Sequence, residues 1–370
     1  SPYATIQNAT KGITYQPAAG LWNTVMAAAS AGDTIHISPG YVHQSDADML
    51  NYYSGLDSCL LAVIKPLTIS NIPGQGRWRP YKGSTQLGSD KNGIVIFAPG
   101  DGDDILAPGS FVIEGFDLDN WGETAAASGV KIRSKGYTVG SWAHMHTAVT
   151  LRNFSIGKAP YLRSASGING AARTLLLDDG EVYDTGDAVG GTAGNDHNAY
   201  VSAETFTARG MRLWRSRGSN ADGSDAMDGH LLKVSAVNGL IEGCCLDADP
   251  LKGDNTHAIQ MKAGGNFVIR GTLIVDSVRN NSAGRGMLNM CREVAADGST
   301  PNYEWWAGRD GNSLTVERCT FIGHYGRAAV WFFPVGSGQY MGPGSGTDQI
   351  ASVTIRDNVA MIAGTPTVSA

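Results

Sequence analysis

Charge is scarce in this chain. Of its 370 residues only 17% are Asp, Glu, Lys or Arg, and the formal sum is −6. There is no basic surplus to meet a nucleic-acid backbone, although a local cationic groove can still sit on an acidic protein. Cysteine is also rare. Cys59, Cys244, Cys245, Cys291 and Cys319 form an odd set with no CxxC or Cys/His spacing. That excludes a disulfide framework and leaves small apolar side chains suited to the interior. No run approaches the ~20 apolar residues of a membrane span. No signal peptide is visible, and Ser1-Pro2-Tyr3 reads as the start of a mature or trimmed chain.

Glycine is abundant: 49 residues, nearly twice the usual share of about 7%. With many Asn, Asp, Ser and Thr, this composition suits frequent tight turns between short strands. The hydrophobic content of 42% is that of an ordinary globular protein, and the length admits one large domain or two ordinary ones.

An internal repeat decides between these. "FVIEGFDL" (111), "VTLRNFSI" (149), "LLLDDGEV" (175), "FTARGMRL" (206), "GLIEGCCL" (239), "FVIRGTLI" (267), "LTVERCTF" (314) and "VTIRDNVA" (353) align, with "LTISNIPG" (67) as a degenerate ninth copy. Positions one, three and eight are apolar in nearly every copy. Position five is usually Gly, Asn or Asp. Alternation over the first three positions predicts a half-buried strand, and the small residue at position five predicts a bend. Position four reads Glu114, Arg152, Asp178, Arg209, Glu242, Arg270, Glu317, Arg356, an unbroken alternation of sign. Stacked about 4.8 Å apart in parallel strands, these residues would form an attractive ladder that fixes register.

Another short apolar run precedes each copy, among them "GVKIR", "HNAYV", "HLLKV", "HAIQM", "GMLNM" and "AAVWFF". Two or three strands per repeat describe one turn of a solenoid, and parallel crossovers are right-handed. The expected fold is therefore a single all-β domain, a right-handed parallel β-helix over residues 60–362. Residues 1–45 form a cap and first strand, with "LWNTVMAAASAGDTIHISPGYV" (21–42) supplying a short helix, a turn at Gly32-Asp33 and a strand.

Aligning the preceding runs gives columns. His197, His230 and His257 form one. Three residues on come Tyr200, Lys233, Gln260 and Asn289, continued by Trp331, and two further on come Ser202, Ser235, Lys262 and Cys291. Val201, Val234, Met261 and Met290 alternate inward, so the Tyr200–Lys233 column is expected to face out, with the histidines at its turn edge. A cationic strip on a long rigid face suits an extended acidic polymer. β-Elimination from a uronic-acid polysaccharide needs a base, a proton donor and a cation for the carboxylate. Lys233 or His230 is the expected base and Tyr200 the proton donor, with His197 beside them. Lys262, His257 or Arg292 would hold the carboxylate, with Gln260 and Asn289 in the same strip, while Trp305, Trp306 and Trp331 would stack on sugars.

The "AGDTIxIxPGxY" arrangement at Ala31 to Tyr41 resembles the opening of pectate-lyase-like β-helix proteins. "NDHNAYV" followed by "DGHLLKVSA" resembles a pair found in bacterial members of that superfamily, many of them linked to polysaccharide lyases. The resemblance implies a secreted or periplasmic protein active on an acidic polysaccharide, monomeric or homotrimeric. Calcium is common among such lyases; here it would draw on the carboxylates of 178–187 and 247–254, and no cofactor is otherwise expected. The arginine-centred motif of true pectate lyases and a full set of polygalacturonase carboxylates are missing. Three alternatives stay open. A glycoside hydrolase, as in phage tailspikes, would draw its carboxylate pair from Asp184, Asp187, Asp196, Asp225 and Asp228. A C5-epimerase would begin with the same proton abstraction, and a non-catalytic solenoid would only bind polysaccharide. The "WAHMH" run (Trp142 to His146) could supply a metal pair.

Overall fold

A computed structural model describes residues 2–44, 59–81, 92–97, 109–119, 128–133, 145–157, 166–187, 197–218, 230–247, 258–261, 265–275, 286–290, 312–324, 328–332 and 350–363. Among them are one helix and 25 strands joined in a single, mostly parallel sheet system.

The eight repeat copies stack in register without a slip at position four. Arg152 lies opposite Glu114 and Asp178, Asp178 opposite Arg209, Arg209 opposite Glu242, Glu242 opposite Arg270, Arg270 opposite Glu317, and Glu317 opposite Arg356. The charges meet as the alternation requires. Arg152 reaches Asp178 at 3.0 Å and Glu114 at 3.6 Å, Arg209 reaches Asp178 at 3.0 Å, and Arg270 reaches Glu242 at 2.7 Å. Each half-exposed pair is worth well under 1 kcal/mol. Their effect is on register, since a one-residue slip would also turn every apolar residue outward.

Below this ladder the apolar positions pile into continuous columns. Phe111, Val149, Leu175, Phe206, Gly239, Phe267 and Leu314 follow one another, as do Ile113, Leu151, Leu177, Ala208, Ile241, Ile269 and Val316. Their side chains are almost wholly sequestered from solvent. Interdigitation is tight enough that glycine becomes a packing requirement. A Cβ on Gly239 would lie 2.9 Å from Cζ of Phe267 and closer still to Cε1 and Cδ1, and Gly180 receives the ring of Phe154 in the same way.

Position five turns the chain. Gly115, Asn153, Asp179, Gly210, Gly243, Gly271, Arg318 and Asp357 all have positive φ, from 49° to 71°. Gly, Asn and Asp tolerate this left-handed region. Arg318 does not, and it is the one copy at odds with its backbone.

The N-terminal end is covered. The helix Leu21–Ala28 buries Trp22, Val25 and Met26, with the Trp22 indole N–H donating to Ala62 O at 2.7 Å. Its first turn is anchored by His43 Nδ1, which accepts the Gly20 N–H at 2.7 Å. Its last carbonyls, Met26 O and Ala29 O, each accept from Lys65 Nζ at 2.6 Å, so a cation sits where the helix dipole favours one. The helix, turn and strand read from residues 21–42 are in place. Sequence reading missed the hairpin of Ile6–Asn8 and Ile13–Tyr15, which pairs antiparallel with Thr34–Ile37 and closes that edge. Its three-residue strands are too short for periodicity to register.

The cysteines behave as apolar filler. Cys59, Cys244 and Cys319 are buried and unbridged, Cys245 is half-buried, and Cys291 lies outside the described residues. Burial pushes the Cys244 thiol up to about 11. Among the described residues no helix is long and apolar enough to cross a membrane.

Candidate functional site

The strands Ala199–Arg209 and Leu232–Glu242 lie side by side and bring Tyr200 directly opposite Lys233. Val201 and Val234 fill the interior on either side of them, so both polar side chains emerge on the outer face, half-buried. The Lys233 ammonium stands 5.0 Å from the Tyr200 ring centroid. The column continues in register through Gln260, Asn289 and the backbone of Trp331. It also runs the other way, through Asn169 to Lys131, two residues that sequence alignment did not single out. "GVKIR" held the signal, but 17 residues separate Lys131 from the repeat copy that follows it at Val149, which hid the offset.

This strip is not uniformly open. Gln260 and Asn289 are 4% and 0% exposed, and Ser202 and Ser235 are buried as well. The exposed chemistry therefore concentrates at Lys131, Asn169, Tyr200 and Lys233, all half-buried.

The histidines depart from expectation. His197 and His230 do stack, with ring centroids 5.0 Å apart and planes within 1°, but they are buried at 0% and 4% exposure instead of lining the outer edge. Both histidines precede the strands Ala199–Arg209 and Leu232–Glu242, where alternation assigns no face, and the residues that follow them, Asn198 and Leu231, are buried as well. The Tyr200 ring meets the edge of His197 at 5.4 Å and 86°. The backbone N–H of His230 donates to His197 Nδ1 at 3.1 Å, so the neutral His197 ring carries its proton on Nε2. Beside them Asn198, fully buried, accepts from Thr185 Oγ1 and donates to Val182 O and Trp214 O at 3.0 Å each. It ties the start of the Tyr200 strand to the turn beneath. The stack thus backs Tyr200 through its contact with His197.

The remaining expected residues divide into two groups. His257, Lys262, Arg292, Trp305, Trp306 and the side chain of Trp331 lie outside the described residues, as do Asp196, Asp225, Asp228, Trp142 and His144. Of the others, Asp184 is 7% exposed and ion-paired to Arg215 at 2.9 Å, and Asp187 ends its strand. His146 is fully buried against the edge of Phe111, and burial lowers its pKa to about 4. It packs in the core, and His144, the other half of the expected metal pair, lies outside the described residues.

Among the described carboxylates of the stretches expected to serve calcium, Asp178 is held by Arg152 and Arg209, Glu181 by Trp214 and Arg212, and Asp184 by Arg215, while the side chain of Asp187 and residues 248–254 lie outside the described residues. Among the described residues no three His, Cys, Asp or Glu side chains converge on a point where a metal could sit.

The chain matches no known protein-family model, no curated protein and no solved structure.

Proposed function

We propose that the chain is a right-handed parallel β-helix that cleaves a uronic-acid polysaccharide by β-elimination. The observation that carries this reading is the pair Lys233 and Tyr200. Two side chains able to transfer protons stand on adjacent rungs of an outward column, the Lys233 ammonium 5.0 Å from the centroid of the Tyr200 ring, which meets a buried histidine stack. Lys233, as the free amine, takes the C5 proton of the uronate. The C5 electron pair forms the C4–C5 double bond, the C4–O bond breaks, and Tyr200 protonates the departing glycosidic oxygen. Positioned acid–base groups of this kind contribute roughly 10²–10⁴-fold each. His197 and His230 act by position: the stack and its edge contact limit the rotamers of Tyr200. A polymer substrate places the activity outside the cytoplasm.

The test is ultraviolet absorbance on incubation with a panel of uronic-acid polysaccharides, run beside a reducing-end assay. Absorbance from the new double bond is expected, falling at least about 100-fold in Lys233→Ala and Tyr200→Phe. New reducing ends without that absorbance would mean hydrolysis. Turnover unaffected by both substitutions would remove the site.

A further inference from the structure

Lys233 and Tyr200 leave the same side of one sheet. Their strands run parallel with the two residues in direct register, which sets the bases of the side chains about 4.8 Å apart. The next residues, Val201 and Val234, are buried on the inner side. The ends of the two side chains also stay together. The Lys233 ammonium is 5.0 Å from the Tyr200 ring centroid, within the contact range of a cation on an aromatic ring. His197, itself buried, meets that ring edge-on with centroids 5.4 Å apart.

This closeness decides how a sugar can be presented. Acting on opposite faces, a base and an acid would each stand about 3 Å from the atom they serve, with the ring between them, roughly 6 Å or more apart. A pyranose does not fit between an ammonium and a phenol ring in contact. It lies over the pair, with one face toward both groups. The C5–H bond and the C4–O bond that break must then point to the same side of the ring, a syn elimination.

We propose, resting on the elimination assigned to Lys233 and Tyr200, that the cleaved uronate carries its C5 hydrogen and its C4 oxygen cis. 4-Linked D-mannuronate and D-glucuronate meet that condition. L-Guluronate is mannuronate inverted at C5 and D-galacturonate is glucuronate inverted at C4, so in both the two bonds are trans. The amine takes the C5 proton, the freed pair forms the C4–C5 double bond, and the leaving oxygen takes the phenol proton. Tyr200 is left as phenolate beside the Lys233 ammonium. A proton passed from Lys233 to Tyr200 restores both groups without an outside acid or base. Exchanging the two roles leaves the geometry, and so the preference, unchanged.

Four 4-linked homopolymers test this: poly-D-mannuronate and poly-D-glucuronate against poly-L-guluronate and poly-D-galacturonate. Initial rates of double-bond absorbance, with the full chain at equal uronate concentration, should be at least about 100-fold higher on one or both of the cis polymers than on either trans polymer, the loss that a misplacement of about 1 Å already brings. That absorbance should disappear in Lys233→Ala and Tyr200→Phe. A trans polymer cleaved at a comparable or greater rate, with the absorbance still lost in both variants, would overturn the cis assignment and leave the two residues as the eliminating pair. Absorbance from none of the four, or absorbance that both substitutions leave unchanged, would remove the elimination itself and the stereochemistry with it.

Discussion

Replacing Gly239 with alanine sets two effects of opposite sign against each other. Gly239 is not among the glycines with positive φ, so alanine fits its backbone. Restricting the unfolded chain at such a site normally stabilises by about 0.4–1 kcal/mol. Against this stands the ring of Phe267, one rung away and 1% exposed, which would touch the new Cβ at three carbons, the most distant at 2.9 Å. Overpacking of this kind costs about 1–3 kcal/mol. The ring cannot withdraw, because Leu314 follows it in the column and is also fully buried. The clash should win, giving a net destabilisation of about 0.5–2 kcal/mol. Urea unfolding should show a lower midpoint at unchanged slope. In the Phe267→Leu background most of the opposing ring is gone, so the same substitution should become neutral or stabilising. The two backgrounds should differ by at least about 1 kcal/mol. A parent chain made more stable by Gly239→Ala, or equal effects in both backgrounds, would refute the reasoning.

Arg318 holds φ at 54° where its counterparts are Gly, Asn or Asp, and its side chain, 3.3 Å from Glu317, is 64% exposed. Arg318→Asn should therefore raise the thermal midpoint, gaining on the order of 1 kcal/mol from relieved strain, and a fall would show that the ion pair outweighs it. His146 is fully buried, and burial lowers its pKa from 6.5 to about 4. The unfolded state then takes up a proton that the folded state refuses. Stability should drop as pH falls from about 6.5 to 4, by roughly 3 kcal/mol, and His146→Leu should flatten that slope in urea titrations. Hydrogen bonds from Arg209 to Asp178, and from Arg356 to Glu317, hold both carboxyls below their usual range. Their contribution is present above the unfolded carboxylate pKa and lost as pH falls through the folded one. Arg209→Gln should shift the acid unfolding midpoint upward.

The repeat was legible because three independent signals share one register. Apolar residues at positions one, three and eight, turn formers at five and alternating charge at four all point to the same stacking, and the ladders reproduce it from Glu114 to Arg356. Tyr200 opposite Lys233 followed from the same alignment. What did not follow was whatever lies outside the strand period. His197 and His230 precede their strands, where alternation assigns no face. Gln260 and Asn289 face outward and yet are buried, which alternation cannot foresee because it assigns a face and not what covers it. Lys131 was lost to variable spacing and the N-terminal hairpin to its brevity, whereas Asn169 stands six residues before Leu175, the same offset as Tyr200 before Phe206, and was open to the alignment.

Alternation along the position-four ladder also imposes a parity rule on how such a chain can grow or shrink. Deleting the rung that carries Asp178, for instance, would set Arg152 against Arg209, two guanidinium groups that now share one carboxylate at 3.0 Å each. Deleting two neighbouring rungs restores opposite signs at the junction. Duplications inside the ladder obey the same arithmetic, so its interior grows or shrinks without electrostatic conflict only in steps of two.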